Sequence, residues 1–169
     1  MKNLTLLVCT IIFGLCLLVT YVLPPYVYSD FDYKPLWVGI QANWLNYGWM
    51  ILSVIAFIVF YFIVLLEKEL GEMYDWGYGL VIGASIPWIF LTIHTLRSKG
   101  STRQIFKWLT MLCLLLVSIG SIILNIEIYK DAASLNESKM WTAFVMSIIF
   151  SVQTVILDFL YWGYFFIKQ

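Results

Sequence analysis

Five long apolar segments dominate this sequence and restrict it to a membrane environment. Each approaches or exceeds the ~20 apolar residues that an α-helix needs to cross a bilayer. The chain is 62% hydrophobic and only 12% charged, and a soluble fold of 169 residues cannot bury so much apolar surface. We therefore predict an all-α integral membrane protein, a single domain over residues 1–169 built as a bundle of five transmembrane helices. The predicted spans are about 4–23, 47–66, 76–96, 105–126 and 141–167.

The first segment follows Lys2 and could be mistaken for a secretory signal. It is longer than the apolar region of such signals, and no small-x-small cleavage site follows it. We therefore interpret it as the first helix of the bundle. All three cysteines fall inside predicted spans, and we interpret them as small packing residues. They are Cys9, Cys16 and Cys113.

The basic residues predict which way the chain crosses the membrane. Five spans place residues 24–46, 97–104 and the C-terminal end on one surface, side A, and the N-terminal end, 67–75 and 127–140 on the other, side B. Side A carries six basic residues against four on side B, and Lys and Arg favour the cytoplasmic side. The prediction is a lumenal or external N-terminus and a cytoplasmic C-terminus. The six basic residues are Lys34, Arg97, Lys99, Arg103, Lys107 and Lys168.

Aromatic residues are concentrated near side A. The first loop contains PLWVGIQANWL, which we predict to lie on or in the membrane surface. An apolar, aromatic pocket with a few polar groups is typical of small-molecule sites, so this loop could cap a ligand site. The alternative is ordinary anchoring of tryptophans at the membrane interface. The candidates for this region are Trp37, Trp44, Trp49 and Trp108.

One short stretch is similar to a known family. Lys34-Pro35-Leu36-Trp37, with Trp49 beginning the second span, resembles the Lys-Pro-x-Trp stretch and following Trp of the tryptophan-rich sensory or translocator proteins. Five spans and a long first loop are also similar to that family, and the resemblance implies a ligand-binding membrane protein. The further prolines after this Trp, the Asn-and-Trp signature of the third helix and the Pro-Tyr pattern of the fifth are missing.

The third span combines small residues with a proline. Gly79-x-x-x-Gly83 places two glycines on one helix face, and we predict close packing of another helix there, with dimerisation as the alternative. Pro87 removes one backbone hydrogen bond and should kink the helix. The kink places Trp88 near mid-depth, where its indole N–H needs a partner.

The fourth and fifth spans each carry a polar stripe. Ser118, Ser121 and Asn125 lie three and four residues apart in the fourth span. In the fifth, at ~100° per residue, five small or polar residues fall within roughly 80° of one another, so we predict that this stripe faces the bundle interior. Tyr161 extends the same face, while Gln153 points elsewhere. The five stripe residues are Ala143, Ser147, Ser151, Thr154 and Asp158.

Asp158 has both a structural and a functional interpretation. An acidic side chain within a span is costly and often marks an ion or ligand site, but it can also be a hydrogen-bonded structural residue. The only histidine, His94, lies near the side A end of the third span. If the two helices are neighbours, Asp158 and His94 could form a carboxylate–imidazole pair. A histidine at the interface that touches headgroups is the alternative.

The sequence contains no catalytic, metal-binding or nucleotide-binding motif of the common classes, so we predict a non-enzymatic protein without a cofactor or metal. The first functional hypothesis is binding of a partner membrane protein, a hydrophobic ligand or a lipid through the aromatic region on side A. The alternative is a small proton- or cation-coupled transporter or channel unit that uses Asp158. Expected partners are the lipid bilayer, a membrane protein or further copies of this chain, and a hydrophobic small molecule, but not nucleic acid.

Overall fold

The computed structural model describes residues 2–30, 44–67 and 70–168, and within these ranges the chain is helical apart from short turns. Eight α-helices and one π-helical segment follow each other along these described ranges. They are α1 (Lys2–Val22), α2 (Pro24–Val27), α3 (Trp44–Glu67), α4 (Glu72–Ser85), α5 (Trp88–Arg97), α6 (Gly100–Leu135), α7 (Ser138–Ser151), the π segment (Val152–Trp162) and α8 (Gly163–Lys168).

These elements form five long rods, which confirms the predicted helix count. In the part of the chain that the structure describes, four rods are long and apolar enough to cross a membrane: Gly48–Glu67, Glu72–Arg97, Gly100–Leu135 and Ser138–Lys168. The first rod, α1, contains a shorter apolar stretch, Leu7–Leu17. The protein is thus a multi-pass helical membrane protein. The first loop from residue 31 to residue 43, with Trp37 and the Lys34–Trp37 stretch, lies outside the described residues.

Polar contacts join the rod ends that were assigned to side B. The Tyr74 hydroxyl donates to Asp131 Oδ2 at 2.7 Å, which joins the start of α4 to the end of α6. Lys139 Nζ lies 2.6 Å from Glu67 Oε1, which joins the start of α7 to the end of α3. Both contacts require neighbouring rods to run in opposite directions, as the assignment of loops to two sides demands.

Polar contacts also join the ends assigned to side A. The Tyr28 hydroxyl and His94 Nε2 are 3.2 Å apart, which brings the segment after α2 to the end of α5. Lys107 is buried and its ammonium donates to the Ile167 carbonyl oxygen at 3.0 Å. This contact satisfies one of the carbonyls that the end of α8 leaves without a helical partner.

The long helix α6 lies between α4 and α5 on one side and α7 and the π segment on the other. Gly77 on α4 and Gly120 on α6 allow these two helices, α4 and α6, to approach each other closely. A Cβ added to Gly120 would lie 2.8 Å from the Gly77 carbonyl oxygen, and one added to Gly77 would lie 2.7 Å from Leu124 side-chain atoms. Close backbone approach through small residues is a usual way for helices to associate in lipid.

The predicted packing face of Gly79 and Gly83 is therefore wrong. Both glycines are exposed, and no atom of the described residues lies within 4 Å of a Cβ built at either position. The angular offset explains the difference, because Gly77 lies about 200° from Gly79 on an α-helix at ~100° per residue. The side of α4 that packs on α6 carries Gly77, so the Gly79–Gly83 side faces away from α6.

The half of the bundle near side B holds an aromatic core. Phe60, Tyr74 and Tyr78 are fully or almost fully buried there, together with Leu124 and Ile128 of α6. The Phe60 and Tyr78 rings stack at 6.4 Å, and those of Tyr74 and Tyr78 stack at 6.3 Å. Aromatic pairs at such distances add to the packing of the rods.

The two predicted polar stripes pair with each other across the interface of α6 with α7 and the π segment. Asn125 Nδ2 donates to Ser151 Oγ at 2.7 Å, and Thr154 Oγ1 donates to Ser121 Oγ at 2.9 Å. Ser118 Oγ lies 3.0 Å from the Thr154 carbonyl oxygen, to which it donates. The stripes thus face the bundle interior, as their spacing predicts. Ser147 is buried in the same row, and its hydroxyl donates to the Phe144 carbonyl oxygen.

Candidate functional site

A cavity of ≈ 170 Å³ lies inside the bundle between the aromatic core and side A. Its wall is mostly apolar, with residues from α1, α3, α6 and α7, and its polar side chains come from α3, α4 and the π segment. The apolar lining comprises Leu17, Met50, Val54, Leu114, Val117 and Phe150, and the remainder comprises Ser53, Ser85, Trp88, Gln153, Thr154, Asp158 and Trp162. A mainly apolar space with a few polar groups is typical of small-molecule sites.

Pro87 positions one wall of this cavity. The third rod is interrupted at Ile86 and Pro87, between α4 and α5, as the missing N–H of proline predicts. Ser85 and Trp88 lie on either side of the break, and both line the cavity. The Ser85 hydroxyl donates to the Val81 carbonyl oxygen at 2.5 Å, so it is already bonded within its own helix.

The π segment positions Asp158. Gln153 Nε2 donates to Asp158 Oδ1 at 2.7 Å, across five residues of the same segment. On an α-helix at ~100° per residue the two side chains would lie about 140° apart and could not meet. A π-helix bonds each N–H to the carbonyl five residues earlier and has more residues per turn, which brings positions five apart to the same side. The prediction that Gln153 points elsewhere is therefore wrong.

The same change of helical geometry decides which aromatic residue faces inward. Trp162 is 3% exposed and lines the cavity, whereas Tyr161 is 45% exposed and its ring contacts Phe165. Tyr161 was expected to extend the polar stripe because the spacing of an α-helix was assumed throughout. The extra residues per turn of the π segment advance the inner face by one position, from Tyr161 to Trp162.

Two side chains at the cavity wall, Asp158 and Gln153, present hydrogen-bond acceptors to the space. Asp158 is half-buried and presents a carboxylate, while Gln153 is 7% exposed and its Oε1 has no hydrogen-bond partner in the described part of the chain. Among the described residues that line the cavity, none is basic. A ligand that donates hydrogen bonds, or carries positive charge, would therefore complement this wall.

His94 lies elsewhere and does not line the cavity. Its imidazole pairs with the Tyr28 hydroxyl and stacks on the Phe106 ring at 5.2 Å, while the Arg97 guanidinium lies over the Tyr28 ring. Trp88 lines the cavity, and six further residues along α5 carry His94 ~9 Å towards side A. The hypothesis of an Asp158–His94 pair is therefore wrong, because the two residues lie at different depths.

The tryptophans expected to form one aromatic region are separated in the structure. Trp88 and Trp162 meet edge to face at the cavity with ring centroids 5.7 Å apart. Trp108 is 61% exposed and points away from the bundle, and Trp49 is half-buried without lining the cavity. The side chain of Trp44 lies outside the described part of the structure. Among the described residues, the aromatic lining of the cavity therefore consists of two tryptophans and Phe150 rather than of a broad aromatic mouth.

Sequence reasoning missed several residues that shape the site and its support. Gln153 and Trp162 were missed because the π geometry gives no simple periodic signal, and Gly120 because its partner glycine lies on another helix. Ser53 could have been found, since it is the only hydroxyl in the apolar run MILSVIAFIVF between Trp49 and Tyr61. Isolated polar residues in a span usually face the bundle interior.

Comparison with known proteins leaves the site without an analogue. No protein-family model, no curated protein and no solved structure matches this chain. The resemblance to the translocator proteins therefore stays a prediction based on residues 34–37 and Trp49. The architecture shown is that of a multi-pass membrane bundle with a mainly apolar cavity between its helices.

Proposed function

We propose that the protein binds a small ligand with an apolar body and one cationic or hydrogen-bond-donating group in the cavity at Asp158 and Gln153. The proposed activity is binding without covalent chemistry. One observation supports this proposal: Gln153 and Asp158 are hydrogen-bonded to each other at the cavity wall, and none of the described residues that line this wall is basic.

Charge supports a cationic ligand group. A carboxylate within a membrane span is costly unless it is protonated, paired or hydrated. Gln153 supplies one hydrogen bond, but its Nε2 donates and brings no full charge. An ammonium group would supply the missing charge and could donate to both Asp158 and the free Oε1 of Gln153.

Volume and aromatic residues support a small ligand. An apolar cavity of ~150 Å³ in another protein accommodates benzene, so ≈ 170 Å³ suits a ring or short chain with one polar substituent. Trp88 and Trp162 border the same space, and indole faces attract cations. A small cyclic or aromatic amine combines these properties.

Three probes of similar size test this proposal: benzylamine, benzyl alcohol and toluene. We expect the purified protein in nanodiscs to bind benzylamine about tenfold tighter than toluene, because the ammonium adds a charge-assisted hydrogen bond. Asp158→Asn keeps an acceptor for Gln153 and nearly the same volume. It should therefore abolish the preference for the amine and leave toluene binding unchanged.

Trp108→Phe is the matched control, since Trp108 is exposed and does not line the cavity. It should leave all three affinities unchanged. Equal affinity of the unmodified protein for benzylamine and toluene would contradict the proposal, as would an Asp158→Asn variant that still prefers the amine.

A second candidate function is proton- or cation-coupled passage, and the π segment favours it. When protonated, Asp158 could donate to Gln153 Oε1, and the amide would have to turn to accept this bond. Irregular helical segments beside a polar side chain are common at functional sites. In liposomes, Asp158→Asn should then abolish a pH-dependent flux of protons or rubidium while assembly is retained. Absence of flux in the unmodified protein would exclude this candidate.

We further propose that side A faces the cytoplasm. The support is its larger share of basic residues and the clustering of Arg97 with Tyr28 and His94 at the same end of the bundle. Single cysteines placed at exposed Ser101 on side A and Glu137 on side B, in a cysteine-free background, test the orientation. In intact cells an impermeant maleimide should label only the side B cysteine.

A further inference from the structure

A second, larger space lies on the other side of α4, independent of the Asp158 cavity. It is a groove of ≈ 540 Å³ between α1 and α4, towards side B. Its apolar surface is formed by residues that include Phe13 and Ile82, and the exposed pair Gly79 and Gly83 also lines it. Because no described residue comes within 4 Å of a Cβ built at either glycine, the groove has room for an apolar chain against α4.

One residue that lines the groove has a buried hydroxyl group. Tyr78 lines it, is 1% exposed, and its hydroxyl has no hydrogen-bond partner in the described part of the chain. Leaving a buried phenol hydroxyl unpaired costs free energy, which a ligand with an acceptor at this depth would recover. A purely apolar ligand could not accept this hydrogen bond. The Tyr78 hydroxyl therefore indicates a ligand that also contains a polar acceptor atom.

Acidic side chains mark the groove at its side B end. Asp75 is exposed and lines the groove, and Glu72 borders an adjoining hollow together with Asp75 and Trp76. Trp76 is 65% exposed, as expected for a residue at the membrane interface. Asp75 and Tyr78 are separated by ~4.5 Å along the helix axis, and Tyr78 and Gly83 by ~7.5 Å.

We propose that the α1–α4 groove binds one phospholipid with a primary ammonium headgroup, of the phosphatidylethanolamine class. The ammonium lies against Asp75 and Glu72, an ester carbonyl accepts a hydrogen bond from Tyr78, and an acyl chain lies over Gly79 and Gly83. The order of acid, hydroxyl and apolar surface along α4 is the order of the matching groups in such a lipid. An acyl chain alone would leave the hydroxyl and the acids without partners.

Lipid retention in native mass spectrometry tests this proposal. Phosphatidylethanolamine, phosphatidylcholine and phosphatidylglycerol with identical acyl chains serve as probes. We expect retention in that order, with phosphatidylethanolamine about fivefold tighter than phosphatidylglycerol, since a charge near the surface contributes on this scale. Asp75→Asn should reduce this preference, and Tyr78→Phe should weaken phosphatidylethanolamine about fivefold by removing one hydrogen bond.

Gly83→Leu fills the groove where the structure has open space, and should abolish retention. Gly48→Leu is the matched control, because Gly48 on α3 is also exposed and no atom in the described part of the structure lies within 4 Å of its Cβ position. The proposal is overturned if the two leucine variants retain the lipid equally, or if the unmodified protein retains all three lipids alike. It is also overturned if Gly83→Leu converts a dimer to a monomer without changing lipid retention, which would identify a second copy of the chain as the occupant.

Discussion

The two halves of the bundle are built from the same rods but differ in how regular these helices are and how closely they pack. Towards side B the helices are regular and tightly packed, with Gly77 against Gly120 and aromatic rings stacked around Tyr78. Towards side A the third rod breaks at Pro87 and the fifth becomes a π-helix, and a cavity of ≈ 170 Å³ remains between them. Around α6 the side B half is closely packed and the side A half leaves a cavity, whereas the groove between α1 and α4 lies on the other side of α4.

The difference shows how a membrane bundle can support a polar site. Helices in lipid associate through close packing and hydrogen bonds, since lipid gives them no hydrophobic reason to pair. The side B half supplies that packing without irregular backbone. Irregular helices are tolerated inside a membrane where the surrounding protein satisfies the freed backbone groups, as Ser118 does for the Thr154 carbonyl oxygen. The packed half therefore stabilises the rods that the cavity half distorts.

The largest expected effect comes from breaking the packed half. In Gly120→Ala the new methyl group meets the Gly77 carbonyl oxygen at 2.8 Å, and backbone cannot move aside as a side chain can. We expect the free energy of unfolding to fall by about 1–3 kcal/mol, the usual cost of overpacking. Unfolding by SDS in mixed micelles measures it.

Gly83→Ala is the control for that experiment, because it makes the same change at an exposed helical position with open space. It should raise stability by roughly 0.5–1 kcal/mol, since alanine restricts the unfolded chain more than glycine does. If both variants lose the same stability, the close contact of α4 with α6 does not stabilise the bundle.

The next effect separates stability from binding in the cavity half. Asp158→Ala leaves the Gln153 amide without its acceptor and should lower the free energy of unfolding by about 1–2 kcal/mol. Replacing both residues by leucine should restore stability to within ~1 kcal/mol of the original, because no polar group is left unpaired. The same double variant should lose amine binding. If the double variant is as unstable as Asp158→Ala, the hydrogen bond between Asp158 and Gln153 itself stabilises the fold.

A smaller effect tests how the π segment is held. Ser118→Ala removes the hydroxyl that donates to the Thr154 carbonyl oxygen and should cost about 0.6 kcal/mol, the average for such bonds between membrane helices. Hydrogen exchange should become faster at amides 152–162 and stay unchanged in α4. Unchanged exchange in the π segment would show that this bond does not maintain its geometry.

The smallest effect is expected at the side B surface. Glu67 and Lys139 form an ion pair with both side chains partly exposed to solvent, at 26% and 68%. A double-mutant cycle with alanine at both positions should give a weak coupling free energy that decreases with added salt, because water and ions screen exposed charges. A larger, salt-independent coupling would show that the surface of the packed half contributes more to stability than its exposure suggests.

The sequence predicted the parts of the site that depend on one helix with regular geometry. The spacing of Ser147, Ser151 and Thr154 predicted an inward-facing stripe, and Pro87 predicted the break that brings Trp88 to the cavity. It did not predict Gln153 as the partner of Asp158 or Trp162 as a lining residue. Both errors have one cause, the assumption of ~100° per residue where the backbone is π-helical.

The length and apolarity of the five segments were sufficient to predict helical rods in a membrane, because unpaired backbone groups cannot be left in hydrocarbon. Which residues of those rods meet was decided by the tertiary structure. The pairing of Gly77 with Gly120 depends on two helices at once, and the side of Gln153 depends on how many residues each turn of the fifth rod contains. The sequence of one apolar segment determines neither of these features, since both depend on packing and hydrogen bonds supplied by a neighbouring helix.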